Sequence, residues 1–217
     1  MPHVAFVTLS GFRVHEPELL AFGMTLPGFH DRAHALAELP ALGLLTLAGM
    51  LPEHWNCSYR APAGVDEELV EAIVSERPTL VAISALTASI VEAYSLSLAL
   101  RQRGIRTAIG GLHATALPEE AQRYADAVVA GSGETVWLTL LDDLERGELQ
   151  PVYRAGRSNE GVPWPMPRFD LLGDVKRYTL QTQRGCPLAC DFCAASRLLE
   201  RFREKPIDVI RDELAAL

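Results

Sequence analysis

The sequence predicts an α/β fold on a Rossmann-like or flavodoxin-like parallel sheet, and three observations point to it. Over the first 150 residues, short apolar runs alternate with amphipathic ones, the pattern of strands joined by helical crossovers. The run at 79–84 is apolar at successive positions, as expected for a central strand covered on both faces. Small, Gly-rich or hydroxyl-rich stretches follow three of the predicted strands, where open α/β sheets bind their ligands.

Residues 4–9 form the first predicted strand. A long loop over 11–38 follows, with Gly11, Gly23 and Gly28, and a loop of this length in a compact domain is usually functional. Pro40 opens an apolar helix over 41–51, and 55–60 is the second strand. Asp66 is placed to cap a helix over 67–76 whose first turn is acidic, as the helix dipole favours. The third strand at 79–84 leads to a helix from 90 to 103 that ends at Gly104. A fourth strand at 107–109, a short helix at 118–124 and a fifth strand at 127–130 follow. A helix over 135–146 then stops at Gly147.

From 151 to 177, Pro151, Gly156, Gly161, Pro163, Pro165, Pro167 and Gly173 predict an interdomain linker. Beyond it, 178–183 is predicted as a strand and 206–217 as a helix with Pro206 near its start. The expected organisation is a domain at 1–150, a linker at 151–177 and the start of a second domain at 178–217.

A net charge of −8 argues against nucleic acid or an anionic membrane as the main partner. No stretch approaches the roughly 20 apolar residues that span a bilayer. The N-terminus lacks the basic region and cleavage site of a signal peptide, so a cytoplasmic location without disulfides is expected. Cys57 stands alone, whereas Cys186, Cys190 and Cys193 crowd into eight residues, a grouping that suggests metal.

Those three cysteines lie in Gln183-Arg184-Gly185-Cys186-Pro187-Leu188-Ala189-Cys190-Asp191-Phe192-Cys193. Thiolates at C-x3-C-x2-C spacing can hold three corners of a cubane and leave one iron open. The alternatives are zinc, which needs a fourth ligand that no histidine after His113 supplies, and three reduced thiols without metal. The segment resembles the signature of radical S-adenosylmethionine (SAM) enzymes, including the aromatic Phe192 before the last cysteine. The resemblance implies a [4Fe-4S] cluster on Cys186, Cys190 and Cys193, with Phe192 near SAM. It also implies an electron donor such as flavodoxin or ferredoxin, and a 5′-deoxyadenosyl radical that abstracts hydrogen from a small-molecule substrate. The segment 178–183 would be the first strand of that family's (β/α) barrel.

The three strand-end stretches are Ser84-Ala85-Leu86-Thr87-Ala88-Ser89, Gly110-Gly111-Leu112-His113-Ala114-Thr115 and Gly131-Ser132-Gly133-Glu134-Thr135. Glycine lets backbone approach a ligand closely, and hydroxyls and free amides hold its polar groups. Singly each is weak: Gly110-Gly111 can be a turn, His113 a hydrogen-bonding loop residue and Glu134 a first-turn acid. In order, they resemble the cobalamin-binding domain that precedes a radical SAM barrel. Ser84-x-Leu86 with Gly110-Gly111 matches the elements that accommodate the cofactor's nucleotide tail. Gly110-Gly111-x-His113 with Gly131-x-Gly133-Glu134 matches the radical SAM branch, as does Pro40-Ala41-Leu42-Gly43-Leu44. The cobalamin residues so implied are Ser84, Leu86, Thr87, Gly110, Gly111, His113, Gly131, Gly133 and Glu134. The D-x-H-x-x-G motif, whose histidine ligates cobalt in methionine-synthase-like domains, has no counterpart around His15, His30 or His34.

Only 24 residues follow Cys193, whereas a full barrel takes about 200 or more. The segment 178–217 is therefore expected to be the first β/α unit of an incomplete barrel, with no catalytic residue identifiable in it. Arg197, Arg201, Arg203 and Lys205 are expected to form a solvated face. The leading functional expectation is the N-terminal part of a cobalamin-dependent radical SAM enzyme, a methyltransferase or a relative catalysing another radical transformation. The alternatives are a non-catalytic cobalamin-binding module and a small metal-binding α/β protein.

Overall fold

Apolar cover on both faces decides which runs become central strands. The computed structural model describes residues 1–9, 40–156, 162, 164–175, 177–188, 190–193, 198 and 201–217. Strand β1 (His3–Leu9) has six successive buried positions, and α1 (Leu42–Ala48) leads from it towards β2 (Asn56–Arg60). Helix α2 (Glu67–Ser75) and β3 (Leu80–Ala85) follow, and β3 pairs with β1 in parallel from Val4 opposite Leu80 to Leu9 opposite Ala85. After one 3-10 turn at Thr87–Ser89 come α3 (Ile90–Gln102) and β4 (Thr107–Gly110). Then come α4 (Leu112–Ala116), α5 (Pro118–Ala121), β5 (Ala127–Ala130), α6 (Trp137–Arg146) and β6 (Val152–Arg154). The sheet is parallel throughout, in the order β2-β1-β3-β4-β5-β6. Its first five strands have the flavodoxin-like order, one of the two parallel α/β arrangements the sequence left open.

Alternate side chains along each strand feed two separate cores. Val81 and Ile83 pack with Val70 and Ile73 of α2 and Leu96 and Leu100 of α3. Leu80 and Ala82 face the other way, towards Leu44 of α1 and Trp137 and Leu140 of α6. Phe6 meets Trp137 there, with ring centroids 5.7 Å apart.

The helix signals act where the sequence places them. Asp66 accepts a hydrogen bond from the Leu69 N–H at 2.8 Å, satisfying a free donor of the first turn of α2. Gly147 ends α6 in the left-handed conformation, at φ 74°. The helix expected at 118–124 is the shorter α5, and α4, not expected as a helix, precedes it across a break at Leu117 (φ −130°). Pro118 causes the break, since proline disfavours helical geometry in the residue before it.

The sixth strand lies inside the segment expected to be linker. Three residues after Pro151 are too short to show a period of two, so β6 was hidden in the sequence. Its pairing runs from Val152 opposite Val128 to Arg154 opposite Ala130. Tyr153 anchors it by donating to the buried Asp143 at 2.9 Å and accepting from the Gln150 N–H at 2.9 Å. Burial, partly offset by the Gln150 amide and reinforced by Asp143, pushes the Tyr153 phenol up to about 12. Tyr153→Phe is expected to lower stability in urea unfolding by about 1–3 kcal/mol, because Asp143 loses a buried donor.

The strand expected at 178–183 reduces to β7 (Gln183–Arg184), antiparallel to β8 (Arg203–Glu204). Among the described residues no ladder covers 178–182, although the Thr182 carbonyl accepts from the Lys205 N–H, on the flank of β8, at 2.8 Å. The last element, α7 (Ile207–Ala215), starts directly after Pro206 as expected. Arg203 and Lys205 do not form a solvated face. Both lie over the Trp164 ring, and the buried Lys205 ammonium is 2.6 Å from the fully buried Glu213 carboxylate. Arg197 lies outside the described residues, as does the predicted loop at 11–38. Among the described residues no helix is long and apolar enough to cross a membrane.

Candidate functional site

Parallel strands bring their carboxyl ends to one edge, and here three of those ends enclose a cavity of about 240 Å³. Ser84 comes from β3, Gly110 and Gly111 from the end of β4, and Gly131, Gly133 and Glu134 from the turn after β5. Gly43, Leu44 and Leu47 of α1 and Trp137 of α6 close the opposite wall. Ala82, Ala108 and Val129 line it from the strands, so the interior is largely apolar and the polar groups are few.

Two glycines are needed for the chain to turn here. Gly111 has φ 103°, and a β-carbon added to it would lie 2.7 Å from the Ala85 carbonyl oxygen and 3.3 Å from Ser84 Oγ. Gly131 has φ 97°, and its added β-carbon would meet Ala155 Cβ at 2.9 Å. Only glycine adopts these conformations without strain. Thr115 ties the two turns together: its hydroxyl donates to the Gly111 carbonyl at 2.8 Å and accepts from the Gly131 N–H at 2.9 Å. Thr115→Val leaves that N–H unpaired and is expected to lower stability by about 1–3 kcal/mol, read by chemical denaturation.

Six of the nine residues implied by the sequence resemblance meet at this cavity: Ser84, Gly110, Gly111, Gly131, Gly133 and Glu134. Leu86, Thr87 and His113 are not among its lining. His113 is buried, with Nδ1 3.2 Å from Thr87 Oγ1 and Nε2 3.3 Å from Glu120 Oε1, and its ring edge meets Tyr94. The Tyr94 hydroxyl donates to the same Glu120 oxygen at 3.1 Å, and burial together with that carboxylate pushes the phenol above its usual range. His113 thus braces the turn before α3 against α5. Trp137 carried no signal in the sequence, whereas Gly43 and Leu44 stood in the stretch that resembles the radical SAM branch.

The three clustered cysteines share one loop. Cys186 is exposed, Cys190 and Cys193 are half-buried, and the Cys193 N–H donates to the Cys190 carbonyl at 3.1 Å. Phe192 is 91% exposed. Among the described residues no three His, Cys, Asp or Glu side chains are gathered closely enough to hold a metal ion. The chemistry of the donor set suits iron or zinc, but the thiols do not converge. His15, His30 and His34 lie outside the described residues.

The loop is joined to the cavity. Arg184, two residues before Cys186, pairs with Glu134 at 2.6 Å and stacks on Trp164 at 4.5 Å. Leu198, five residues beyond Cys193, lines the cavity itself.

Residues 31–141 match the B12 binding domain family. An uncharacterized methyltransferase of Synechocystis is 32% identical over 71% of this chain and 29% of its own length. Bacteriochlorophyllide d C-12(1)-methyltransferase of Chlorobaculum tepidum is 30% identical over 81% of this chain and 40% of its own. Bacteriochlorophyllide d C-8(2)-methyltransferase of the same organism is 31% identical over 52% of this chain and 27% of its own. The chain therefore spans well under half the length of these curated relatives. With the flavodoxin-like strand order and a glycine-floored cavity at the strand ends, a match over half of its residues shows that the chain belongs to the B12-binding domain family.

Proposed function

We propose that this chain binds cobalamin in the strand-end cavity and is part of a cobalamin-dependent radical SAM enzyme, a methyltransferase or a close mechanistic relative. The observation that carries the reading is the cavity in which the strand-end residues Ser84, Gly110, Gly111, Gly131, Gly133 and Glu134 meet. The cavity volume of about 240 Å³ lies below the roughly 300–1,000 Å³ of pockets that enclose a whole drug-sized ligand. It suits an inserted part, the cofactor's nucleotide tail, with the corrin ring outside the mouth. The buried Trp137 Nε1–H has no hydrogen-bond partner among the described residues, so a cavity-lining residue carries a donor that a ligand acceptor would satisfy.

When bound, cobalamin supplies a methyl carrier. The chain's own residues do the rest: Gly111 and Gly131 make the tight turns that bound the cavity, Leu44, Leu47 and Val129 exclude water from the tail, and Thr115 keeps the two turns in register. Cys186, Cys190 and Cys193 are the residues that would hold a [4Fe-4S] cluster, a reading supported by their spacing and by the methyltransferase names of the relatives. The segment 178–217 would then be the first β/α unit of the SAM-binding barrel, reached through a linker after the cofactor domain. The reaction, its substrate and its electron donor belong to the whole protein. Titration with hydroxocobalamin, followed by its visible absorption, tests the first site. Saturation at one equivalent per chain is expected, and an unchanged spectrum with free ligand recovered on gel filtration would reject the cavity assignment.

A further inference from the structure

Both flanks of the cysteine loop end on the cofactor cavity. Upstream, the Arg184 guanidinium pairs with Glu134, itself a cavity-lining residue, and the two side chains are only 6% and 13% exposed. The same guanidinium stacks on Trp164 and donates from Nε to Gln181 Oε1 at 2.9 Å, so its position is set from three sides. Downstream, Leu198 is part of the cavity wall. A pair this buried is held as a unit, since removing either partner strands a charge away from water.

We infer that the Glu134–Arg184 pair is a latch through which a ligand in the cavity and the cysteine loop order one another. The inference rests on the corrinoid reading of the cavity. A ligand packed against the Gly131-Ser132-Gly133-Glu134 turn restricts that turn and with it the Glu134 carboxylate. Glu134 then holds Arg184, the last residue of β7, from which the cysteine loop departs. Filling the cavity also fixes Leu198 at the far end of the loop. By linkage the effect is reciprocal: whatever orders the loop raises the affinity of the cavity for its ligand by the same factor.

Amide hydrogen exchange on the metal-free chain tests this, with cyanocobalamin as the probe because its cyanide keeps the cobalt from the cysteine thiols. In the parent, saturating cyanocobalamin is expected to slow exchange across 183–193 by about fivefold or more, the lower end of typical coupling between sites. In Arg184→Met the ligand is expected to bind more weakly by that same factor and to give the loop no protection. Exchange across β3 reports the fold and is expected to match the parent. If Arg184→Met loses protection in β3, Glu134→Gln, which removes the charge and keeps the shape, is read by the same criteria. Cyanocobalamin that binds the parent without slowing exchange across 183–193 overturns the latch and leaves the corrinoid reading standing. Protection that survives in the variant does the same. No binding to the parent overturns both.

Discussion

Gly133→Val is expected to weaken cobalamin binding by about a hundredfold while leaving the stability of the domain within about 1 kcal/mol of the parent. Gly133 sits in the turn after β5 without a left-handed φ. An added β-carbon there would meet Leu47 Cδ1 at 3.4 Å, Leu47 Cδ2 at 3.5 Å and Val129 Cγ1 at 3.7 Å, ordinary van der Waals distances. A β-carbon therefore fits at this position beside the cavity-lining Leu47 and Val129, and valine adds two methyl groups to the wall that would face the ligand. One surplus methylene in an apolar pocket is worth roughly 10–200-fold in discrimination. Gly111→Ala does not separate the two effects as cleanly. Its backbone has φ 103° and its β-carbon would press on the Ala85 carbonyl at 2.7 Å, so about 1–3 kcal/mol of stability would be lost along with binding. Hydroxocobalamin titration and urea unfolding of Gly133→Val, run side by side, check the prediction. Parent-like affinity in that variant would move the ligand elsewhere.

The second large effect is on iron. Anaerobic reconstitution with ferrous iron and sulfide is expected to load about four irons per chain, with the broad absorption of a cubane cluster. Cys190→Ala is expected to lose most of that iron. Cys190 sits at the hinge of the loop, its carbonyl accepting from the Cys193 N–H, so the substitution removes a thiolate and leaves the backbone turn in place. Cys57→Ala is the matching control. That thiol is separate from the loop, and burial beside Asp170, opposed by Arg168, raises it above the ordinary range, so it is a poor thiolate donor. Its loss is expected to leave the iron content unchanged. Stoichiometric zinc in place of iron, surviving a chelator, would make the loop a structural metal site and remove the radical reading.

Much of the N-terminal fold was legible in the sequence because local and global signals agree there. The continuous apolar runs of β1 and β3, the Asp66 cap and the Gly147 stop are each decided within a few residues, and tertiary packing confirms them. The strand-end glycines were legible for a related reason: a backbone that must turn at φ 103° or 97° leaves a residue type that can be seen in a string of letters. Their convergence follows from the topology of any parallel sheet.

Other features depended on partners far apart in the chain. β6 is a strand because Val128, Val129 and Ala130 lie beside it, and 178–182 is not one because no ladder covers it among the described residues. His113 reads as a ligand candidate by its neighbours in sequence and becomes a brace because Thr87, Tyr94 and Glu120 surround it. Lys205 and Arg203 look solvated in a charged run, yet Trp164 and Glu213 draw them inward. The sequence by itself determined the parallel α/β class, the glycine floor of the cavity and the thiol spacing, since each is a property of short range or residue type. Only the tertiary structure decided the Trp137 wall, the sixth strand and the Glu134–Arg184 tie between cavity and cysteine loop. Those contacts join residues up to about a hundred positions apart, and chain-local chemistry says nothing of which distant groups will meet.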